Sequence, residues 1–375
     1  MLPHRHDHAD ALALAGALTN ISITTVPGIY PETLRDQDMP AGSAAAKLPN
    51  RAAWRAHMTL LRNIVSDGLS SALILEQDAD WDVRIAAQLT DLSVAVRALS
   101  LPAARLARAA AAGSQAHAPD IPFTALPLRG TPSATGSPYG DDWDVLILGH
   151  CGVRRPAGAA IVLADDATVP HPSRLRTLVK GQTWWLGDLR RFLPHTRMYH
   201  AGAEPICTTA YAVSGRGARK LLGALGVEGA MPFAPFDLMV REFCHGTARS
   251  PRSVYWDPAD EGARGWRPRC WATQPTLFGS WRGAGGSEAD SDVDERGGAW
   301  RSRSVTENVR WSARGNVRTL ARGLPMVDGW PNPDEGDERW PDMTLVEAEL
   351  MRKEAESLQA ELRKSREQSG GSGPG

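Results

Sequence analysis

The sequence predicts an α/β fold in which helices flank a sheet. Short apolar runs at 72–76, 144–149 and 208–214 are typical of buried strands. Helical periodicity precedes or follows these runs, and that alternation of patterns is expected for an α/β sheet. No run of 18 or more apolar residues occurs, so no membrane segment is predicted.

Composition narrows the class of protein. The 375 residues are 42% hydrophobic and 23% charged, as in ordinary soluble globular proteins. A formal net charge of -1 gives no electrostatic case for a nucleic-acid partner. The start, MLPHRHDHAD, lacks the apolar core of a signal peptide, so a soluble and untargeted chain is expected. Four cysteines without CxxC spacing argue against zinc and leave free thiols or two disulfides open: Cys151, Cys207, Cys244 and Cys270.

The first quarter of the chain is predicted to run helix, strand, helix, strand. An alanine- and leucine-rich helix is expected at 10–18 and a strand at 21–26. Asn50 is the predicted N-cap of the next helix, which ends at 67–68. The run 72–76 is predicted to be a buried parallel strand. The apolar face of the second helix consists of Trp54, Met58, Leu61, Ile64 and Val65.

The middle of the chain continues the alternation. A helix is expected at 81–101, an alanine-rich stretch reaches Ala112, and 113–142 is predicted to be a long loop. Ser214 can cap a helix that ends at Gly226. Pro235 can open a further helix, and 279–298 is expected to be a mobile loop. The apolar face of the helix after Pro235 consists of Phe236, Val240 and Phe243.

The chain divides into one domain and a C-terminal extension. Residues 1–325 form the predicted main domain, 326–341 a linker, 342–366 a helix and 367–375 a disordered tail. The helix begins with a capping box and carries about two heptads of weak coiled-coil character. Weak self-association through it is therefore possible.

Four carboxylates in seven positions begin at the last residue of the run 72–76. Carboxylates this close repel one another, so they need a cation, a proton or open water. Ligands of open α/β sheets bind at the carboxyl ends of strands, which favours a site. The alternative is a solvated turn with acids near a helix N-terminus. The cluster consists of Glu76, Asp78, Asp80 and Asp82.

Several long strings resemble, in the same order, the fungal members of glycosyltransferase family 25. They are WRAHMTLLRNIVSDGLSSALILEQDADWD, YGDDWDVLILGHCG, EPICTTAYAVSGRGARKLL, PFDLMVREFC and NVRWSARGN. The likeness covers most of residues 1 to about 320 and extends to bacterial lipooligosaccharide and animal collagen galactosyltransferases. It implies a GT-A-like, Rossmann-type mixed sheet flanked by helices.

The resemblance also implies an activity. It predicts transfer of a hexose, with galactose expected, from a nucleotide sugar such as UDP-galactose to a hydroxyl of a glycan or glycoprotein acceptor. The metal is expected to be Mn²⁺ or Mg²⁺, which needs only one or two protein carboxylates beside the diphosphate. Relatives act in the Golgi or endoplasmic reticulum lumen; a cytoplasmic location follows if this N-terminus is the true one.

Site residues carry over position by position. The acidic triplet of the family reads Glu-Asp-Asp; here Glu76 and Asp78 match, whereas Gln77 departs. Asp78 is the predicted metal ligand, with Asp80 and Asp82 as second choices. Glu76 is expected to orient the ribose or a metal-bound water.

The remaining expected roles have structural alternatives. Asp237 matches a family carboxylate that can act as general base, or it merely caps its helix. Thr209 and Tyr211, expected on one strand face, lie in a motif near donor and acceptor, or they pack in the sheet. Arg5 belongs to the N-terminal motif LPHRHDHAD, which in the family follows a first strand of the nucleotide site.

Two departures from the family pattern open further interpretations. The first strand is expected to be missing, and the family's histidine is absent from Gly279-Ser280-Trp281. An inactive paralogue that binds nucleotide sugar or glycan, or that scaffolds partners, is therefore an alternative. A metal-dependent phosphodiester or pyrophosphate hydrolase is a third, since strand-end carboxylates serve both chemistries.

Overall fold

The computed structural model describes most of the chain. The described residues are 1–2, 4–40, 42–100, 120–126, 137–154, 159–175, 189, 192–226, 233–245, 268–285 and 300–333. The alanine-rich stretch to Ala112, the C-terminal helix and the tail lie outside them.

Helices and strands alternate along the described residues. The helices are α1 (His6–Thr19), α2 (Leu48–Ser66), α3 (Ile85–Leu99), α4 (Gly215–Gly226), α5 (Phe236–His245) and α6 (Val317–Ala321). The first six strands are β1 (Ser71–Leu75), β2 (Ala79–Trp81), β3 (Ile121–Pro122), β4 (Val145–Gly149), β5 (Gly152–Arg154) and β6 (Ile161–Leu163). The other strands are β7 (Arg197–Ala201), β8 (Ala203–Ile206), β9 (Ala210–Ser214), β10 (Cys270–Gln274), β11 (Phe278–Arg282) and β12 (Val305–Thr306).

A seven-stranded mixed sheet, in the order β1-β9-β4-β10-β7-β6-β3, forms the centre of the fold. Only the pairs β4–β10 and β6–β3 are parallel among the described strands. The predicted α/β class, a mixed sheet flanked by helices, is confirmed. The prediction that 72–76 is a buried parallel strand is wrong, because β1 pairs antiparallel with β9 alone and lies at an edge in the described part of the sheet.

Side-chain alternation explains why the central strands are apolar throughout. Val145 and Ile147 of β4 pack under α2, α4 and α5, whereas Leu146 and Leu148 face the opposite core. A strand with helices over both faces needs apolar residues at every position. The core between the sheet and α2, α4 and α5 is the first core. The predicted helix faces are confirmed, since the side chains that enter this core include Trp54, Met58, Leu61, Ile64, Phe236, Val240 and Phe243.

The second core lies between the opposite face of the sheet and α1 and α3. Trp81 of β2 and Phe278 of β11 are fully buried in it, with ring centroids 6.0 Å apart. These strands form a small three-stranded sheet in the order β12-β11-β2. One strand of this small sheet, β2, directly follows β1 along the chain.

Several local predictions are wrong. Residues 21–26 have alternating exposure but no strand partner among the described residues, because Ile21 and Ile23 rest on the second core instead of a sheet edge. Asn50 lies inside α2, which begins at Leu48 with Pro49 in its first turn. The helix expected from residue 81 begins only at Ile85, since β2 occupies the preceding positions.

Later predictions are met in part. The hydroxyl of Ser214 accepts the N–H of Gly217 at 2.9 Å and thereby caps α4 as expected. The start of the expected 279–298 loop instead belongs to β11. In the expected linker, the indole N–H of Trp330 donates to the carbonyl of Thr306 at 2.8 Å, so the chain still packs on the domain there.

All four cysteines form disulfides. Cys151 pairs with Cys207, with Cα atoms 5.4 Å apart, and Cys244 pairs with Cys270 at 5.5 Å. The alternative of free thiols is thereby excluded. Within the described part of the chain, no helix is long and apolar enough to cross a membrane.

The packing predicts a contrast between two leucines of the same segment. Leu61 is fully buried between α2 and the sheet, whereas 45% of Leu69 is exposed. Leu61→Ala should lower the free energy of unfolding by about 2–5 kcal/mol, because it leaves a cavity. Leu69→Ala, the matched control, should change it by about 0.5 kcal/mol or less. Urea unfolding with the disulfides intact measures both, and equal losses would contradict the placement of α2.

Candidate functional site

The acidic triplet forms a β-turn between β1 and β2. The N–H of Ala79 donates to the carbonyl of Glu76 at 3.0 Å, which places Gln77 and Asp78 at the corner of the turn. The N–H of Glu76 donates to the carbonyl of Thr209 at 2.9 Å and extends the pairing of β1 with β9 by one residue. The sequence therefore projects these side chains from the end of an edge strand.

Asp80 lies in the interior, away from this corner. Its side chain is fully buried and accepts hydrogen bonds from two backbone N–H groups, those of Trp81 at 2.8 Å and Arg314 at 3.0 Å. The hydroxyls of Thr306 and Ser312 donate to its other oxygen. Burial raises the pKa of Asp80, and these donors oppose that effect. With both oxygens occupied, Asp80 ties β2 to residues 306–314, and Asp78 is the better metal candidate.

Asp78 is half-buried at the corner of the turn. Its carbonyl accepts the N–H of Trp281 at 2.7 Å, and its carboxyl group accepts a hydrogen bond from the hydroxyl of Ser280. Burial raises the pKa of Asp78, while the charges of Arg314 and Arg282 oppose that rise. The carboxylate therefore carries a desolvation cost that a bound cation would offset.

Glu76 lies beside Asp78. The hydroxyl of Thr208 donates to its Oε1 at 2.7 Å. Although 37% of the side chain is exposed, packing around the carboxyl group raises the pKa of Glu76 to about 8, and the negative charges of Asp78 and Asp237 add to this rise. The carboxyl groups of Glu76, Asp78 and Asp237 thus lie close together, and we refer to this group as the acidic recess.

Sequence reasoning missed His57, a residue of α2. Its Nδ1 lies 3.1 Å from the hydroxyl of Tyr211, and its Nε2 lies 3.9 Å from Oε1 of Glu76. Burial lowers the pKa of His57 to about 4, so the ring is neutral at pH 7. When Tyr211 donates to Nδ1, Nε2 carries the proton and faces Glu76. In the sequence, His57 lies four residues before the core residue Leu61, and this spacing indicated only that the two residues share a helix face.

The structure places Tyr211 in the core. Its ring is 1% exposed, which matches the packing alternative, and its hydroxyl contacts His57, whose ring faces Glu76. Thr209 instead lies 3.0 Å, between hydroxyl oxygens, from Ser280 of β11. Thr209 and Tyr211 thus contact different elements. The expected alternation of side chains does not extend to Thr209, because β9 begins only at Ala210.

Ser280 is the position in Gly279-Ser280-Trp281 that faces Asp78. A Cβ atom at Gly279 would come within 2.5 Å of the carbonyl of Glu307, so no larger residue fits there without movement. Within this segment, the hydroxyl of Ser280 is therefore the group that contacts Asp78.

Asp237 lies in the first turn of α5, where the N–H of Cys207 donates to its Oδ2 at 3.0 Å. Cys207 has a positive φ of 65° and is held by its disulfide to Cys151. This contact orients Asp237 from outside its own helix. Its negative charge contributes to the raised pKa of Glu76, which places it at the same recess.

Arg5 lies on the other side of the turn, with α1. Its guanidinium donates to Asp7 at 3.0 and 3.1 Å and contacts the ring of His8; the bonds to Arg5 lower the pKa of Asp7 to about 2. Nδ1 of His8 lies 3.1 Å from Nη1 of Arg314. Arg5 is therefore linked to the acidic turn through His8 and Arg314.

Gln77, the residue that differs from the triplet of the family it resembles, makes structural contacts. Its Oε1 accepts the N–H of Leu2 at 3.0 Å, and its carbonyl accepts Nη2 of Arg314 at 2.6 Å. The side chain points to the N-terminal segment, and Glu76 and Asp78 remain the carboxylates of the turn.

The carboxylates at the turn suit a metal ion whose remaining ligands are phosphates and waters. In the described ranges, no group of three or more His, Cys, Asp or Glu side chains is arranged to hold a metal ion. A hard cation such as Mn²⁺ or Mg²⁺ needs only one or two carboxylates when phosphates and waters complete its coordination. Asp78, with Glu76 beside it, fits that requirement.

Comparison with known proteins adds no assignment. No protein-family model matches the chain, and no curated protein matches it significantly. The site is therefore interpreted from its own geometry.

Asp80 and Asp78 should differ sharply in their effect on stability. Asp80→Ala would leave the buried donors of Thr306, Ser312 and Arg314 without an acceptor, and each such group costs about 1–3 kcal/mol. We expect a loss of about 3 kcal/mol or more in the free energy of unfolding. Asp78→Ala should be neutral or stabilising in EDTA, because it removes a carboxylate with a raised pKa. Denaturant unfolding of both variants measures this, and a similar loss in each would contradict the two roles.

The raised pKa of Glu76 predicts a pH dependence without divalent cations. The folded protein holds this proton up to about pH 8, whereas the unfolded chain releases it near pH 4.3. The stabilisation is therefore complete below about pH 4 and is lost as the pH rises to about 8. Glu76→Gln should lose less stability than the unmodified protein between about pH 5.5 and 8.5 in EDTA.

Thermal unfolding at the two pH values measures this difference. The exposed Glu32→Gln serves as the matched control and should leave the pH dependence unchanged. Parallel curves for Glu76→Gln and the unmodified protein would contradict the environment described for Glu76.

Proposed function

We propose that the protein is a metal-dependent glycosyltransferase with a GT-A-like fold. It would transfer a hexose, with galactose as the favoured sugar, from a UDP-sugar to a hydroxyl of a glycan or glycoprotein. The observation that carries the proposal is the grouping of Glu76 and Asp78, at the end of β1, with Asp237 of α5: adjacent residues, Cys207 and Thr208, hydrogen-bond Asp237 and Glu76.

Asp78 would hold Mn²⁺ or Mg²⁺ in this proposal. The cation would neutralise the charge that develops on the departing diphosphate. The positive charges of Arg314 and Arg282 oppose the rise in the pKa of Asp78, so both guanidinium groups lie near the proposed diphosphate position. Arg5 would contribute indirectly through His8 and Arg314.

Glu76 would accept a hydrogen bond from a hydroxyl of the ribose or from a metal-bound water. The hydroxyl of Thr208 fixes one of its oxygens, and the neutral ring of His57 faces the same atom. Thr209 and Tyr211 would act as support: Thr209 contacts Ser280, and Tyr211 orients His57. Preorganised neighbours of this kind spare the site reorganisation on binding.

Asp237 would be the general base that takes the proton of the acceptor hydroxyl. Its Oδ2 is held by the N–H of Cys207, which leaves Oδ1 for the acceptor.

Two disulfides support the lumen of the Golgi or endoplasmic reticulum as the proposed location. Such bonds persist in oxidising compartments and are rare in the cytosol.

A second candidate is a paralogue that binds nucleotide sugar without turnover. Ser280 favours it, since the hydroxyl stands beside Asp78 at the segment where the family carries a histidine. Binding and turnover experiments separate the two candidates.

Thermal stability with Mn²⁺ alone, UDP alone and both together tests the site. A ligand at about a hundred times its dissociation constant adds about 2.7 kcal/mol, and the full shift should require both ligands. Asp78→Ala should abolish it, whereas Asp67→Ala, an exposed acid beyond the end of α2, should not. No shift with both ligands would contradict a nucleotide site.

Turnover is then measured with UDP-galactose and a panel of glycan acceptors. Release of UDP with a galactosylated product supports the transferase, and UMP would indicate a hydrolase. Asp237→Asn should keep the thermal shift but lower the rate by about 10²–10⁴-fold. Binding without turnover would favour the inactive paralogue.

A further inference from the structure

A second cleft lies beyond the acidic recess, on the far side of the small sheet. Its volume is about 410 Å³, within the size range of small-molecule sites. It lies between residues 300–305, Arg174 and residues 329–331. None of the residues assigned to the acidic site lines it.

The lining is strongly cationic. Arg174, Arg301 and Arg303 contribute guanidinium groups, and none of the described lining residues is an Asp or Glu. Nε of Arg174 is buried without a hydrogen-bond partner among the described residues. The Nε–H of Arg301 donates to the carbonyl of Gly283 at 3.1 Å, which fixes the start of that side chain at the cleft. Guanidinium groups bind carboxylate, sulfate and phosphate oxygens in bidentate geometry.

Two indole rings complete the lining. Trp300 is 78% exposed, an unusual state for so large an apolar side chain. Trp330 is buried and anchored through its N–H to the carbonyl of Thr306. The exposed indole of Trp300 offers an apolar platform for the C–H face of a sugar ring, and the neighbouring guanidinium groups suit acidic groups carried on such a ring.

The cleft is linked to Asp78 through two neighbouring strands. The N–H of Trp281 in β11 donates to the carbonyl of Asp78, and Arg282 pairs with Val305 of β12, a lining residue. Since neighbouring strands lie about 4.8 Å apart, the cleft begins on the order of 10 Å from the acidic turn.

We propose that this cleft binds an acidic saccharide, a chain whose sugars carry carboxylates or sulfates, as the acceptor of the reaction. The role as acceptor rests on the proposed function. Arg174 and Arg303 would bind the acidic groups, and Trp300 would stack on a sugar ring. The distance to Asp78 places a neighbouring sugar hydroxyl within reach of the recess.

Binding of an oligomer of galacturonic acid to the full chain tests the cleft without catalysis. The neutral comparison is the same oligomer with its carboxyl groups reduced to alcohols. Calorimetry should show binding of the acidic oligomer that is at least about tenfold tighter than that of the neutral one, because only the acidic oligomer forms charge-assisted hydrogen bonds with the guanidinium groups. Equal or absent binding of both oligomers would overturn the proposal.

Variants locate the binding. Arg303→Ala and Trp300→Ala should each weaken it at least about tenfold, whereas Arg318→Ala, which removes the same charge from α6, outside the cleft, should not. Unchanged affinity in both cleft variants would overturn the assignment to this cleft. An oligothymidylate that binds as tightly as the acidic oligomer would overturn the saccharide class and indicate a general anion site.

The Asp78→Ala variant separates this proposal from the proposed function. It should lose the shift with Mn²⁺ and UDP and still bind the acidic oligomer with unchanged affinity. If the oligomer fails to bind while the Mn²⁺ and UDP shift is present, the cleft proposal fails and the transferase proposal stands. If the shift fails while the oligomer still binds, the cleft binds the saccharide, and its role as acceptor falls with the transferase.

Discussion

The buried carboxylate of Asp80 is the interaction on which the site depends. It accepts two backbone N–H groups and two hydroxyls, and it thereby joins β2 to residues 306–314. This junction places Arg314 against the carbonyl of Gln77 and close to Asp78. A buried carboxylate with complete hydrogen bonding specifies a single arrangement of the strands around it, because any other arrangement leaves polar groups without partners.

The acidic turn is built at an energetic cost. Glu76 and Asp78 both have raised pKa values because of burial, and their mutual repulsion adds to the effect at Glu76. The fold supports them with the hydroxyls of Thr208 and Ser280 and with nearby arginine charge. Groups that destabilise a fold in isolation are common at functional sites, since a ligand of opposite charge reverses the cost.

Loop geometry brings the third carboxylate to the recess. Cys207 adopts a positive φ, is tied to Cys151 by a disulfide, and donates its N–H to Asp237. The first helix of the chain is connected to the same centre through His8 and Arg314. Segments that are distant in sequence thus converge on the end of β1, whose position at the sheet edge leaves room for them.

The α/β class, the central strands, the apolar faces of α2 and α5 and the cap of α4 were predictable from the sequence, because local periodicity and capping chemistry depend only on neighbouring residues. The carboxylates of the turn were predictable in the same way. The antiparallel pairing of β1, the burial of Asp80, the contact of His57 with Glu76 and the pairing of the cysteines became visible only in the folded chain. Each of these depends on contacts between residues far apart in the chain, which periodicity does not encode.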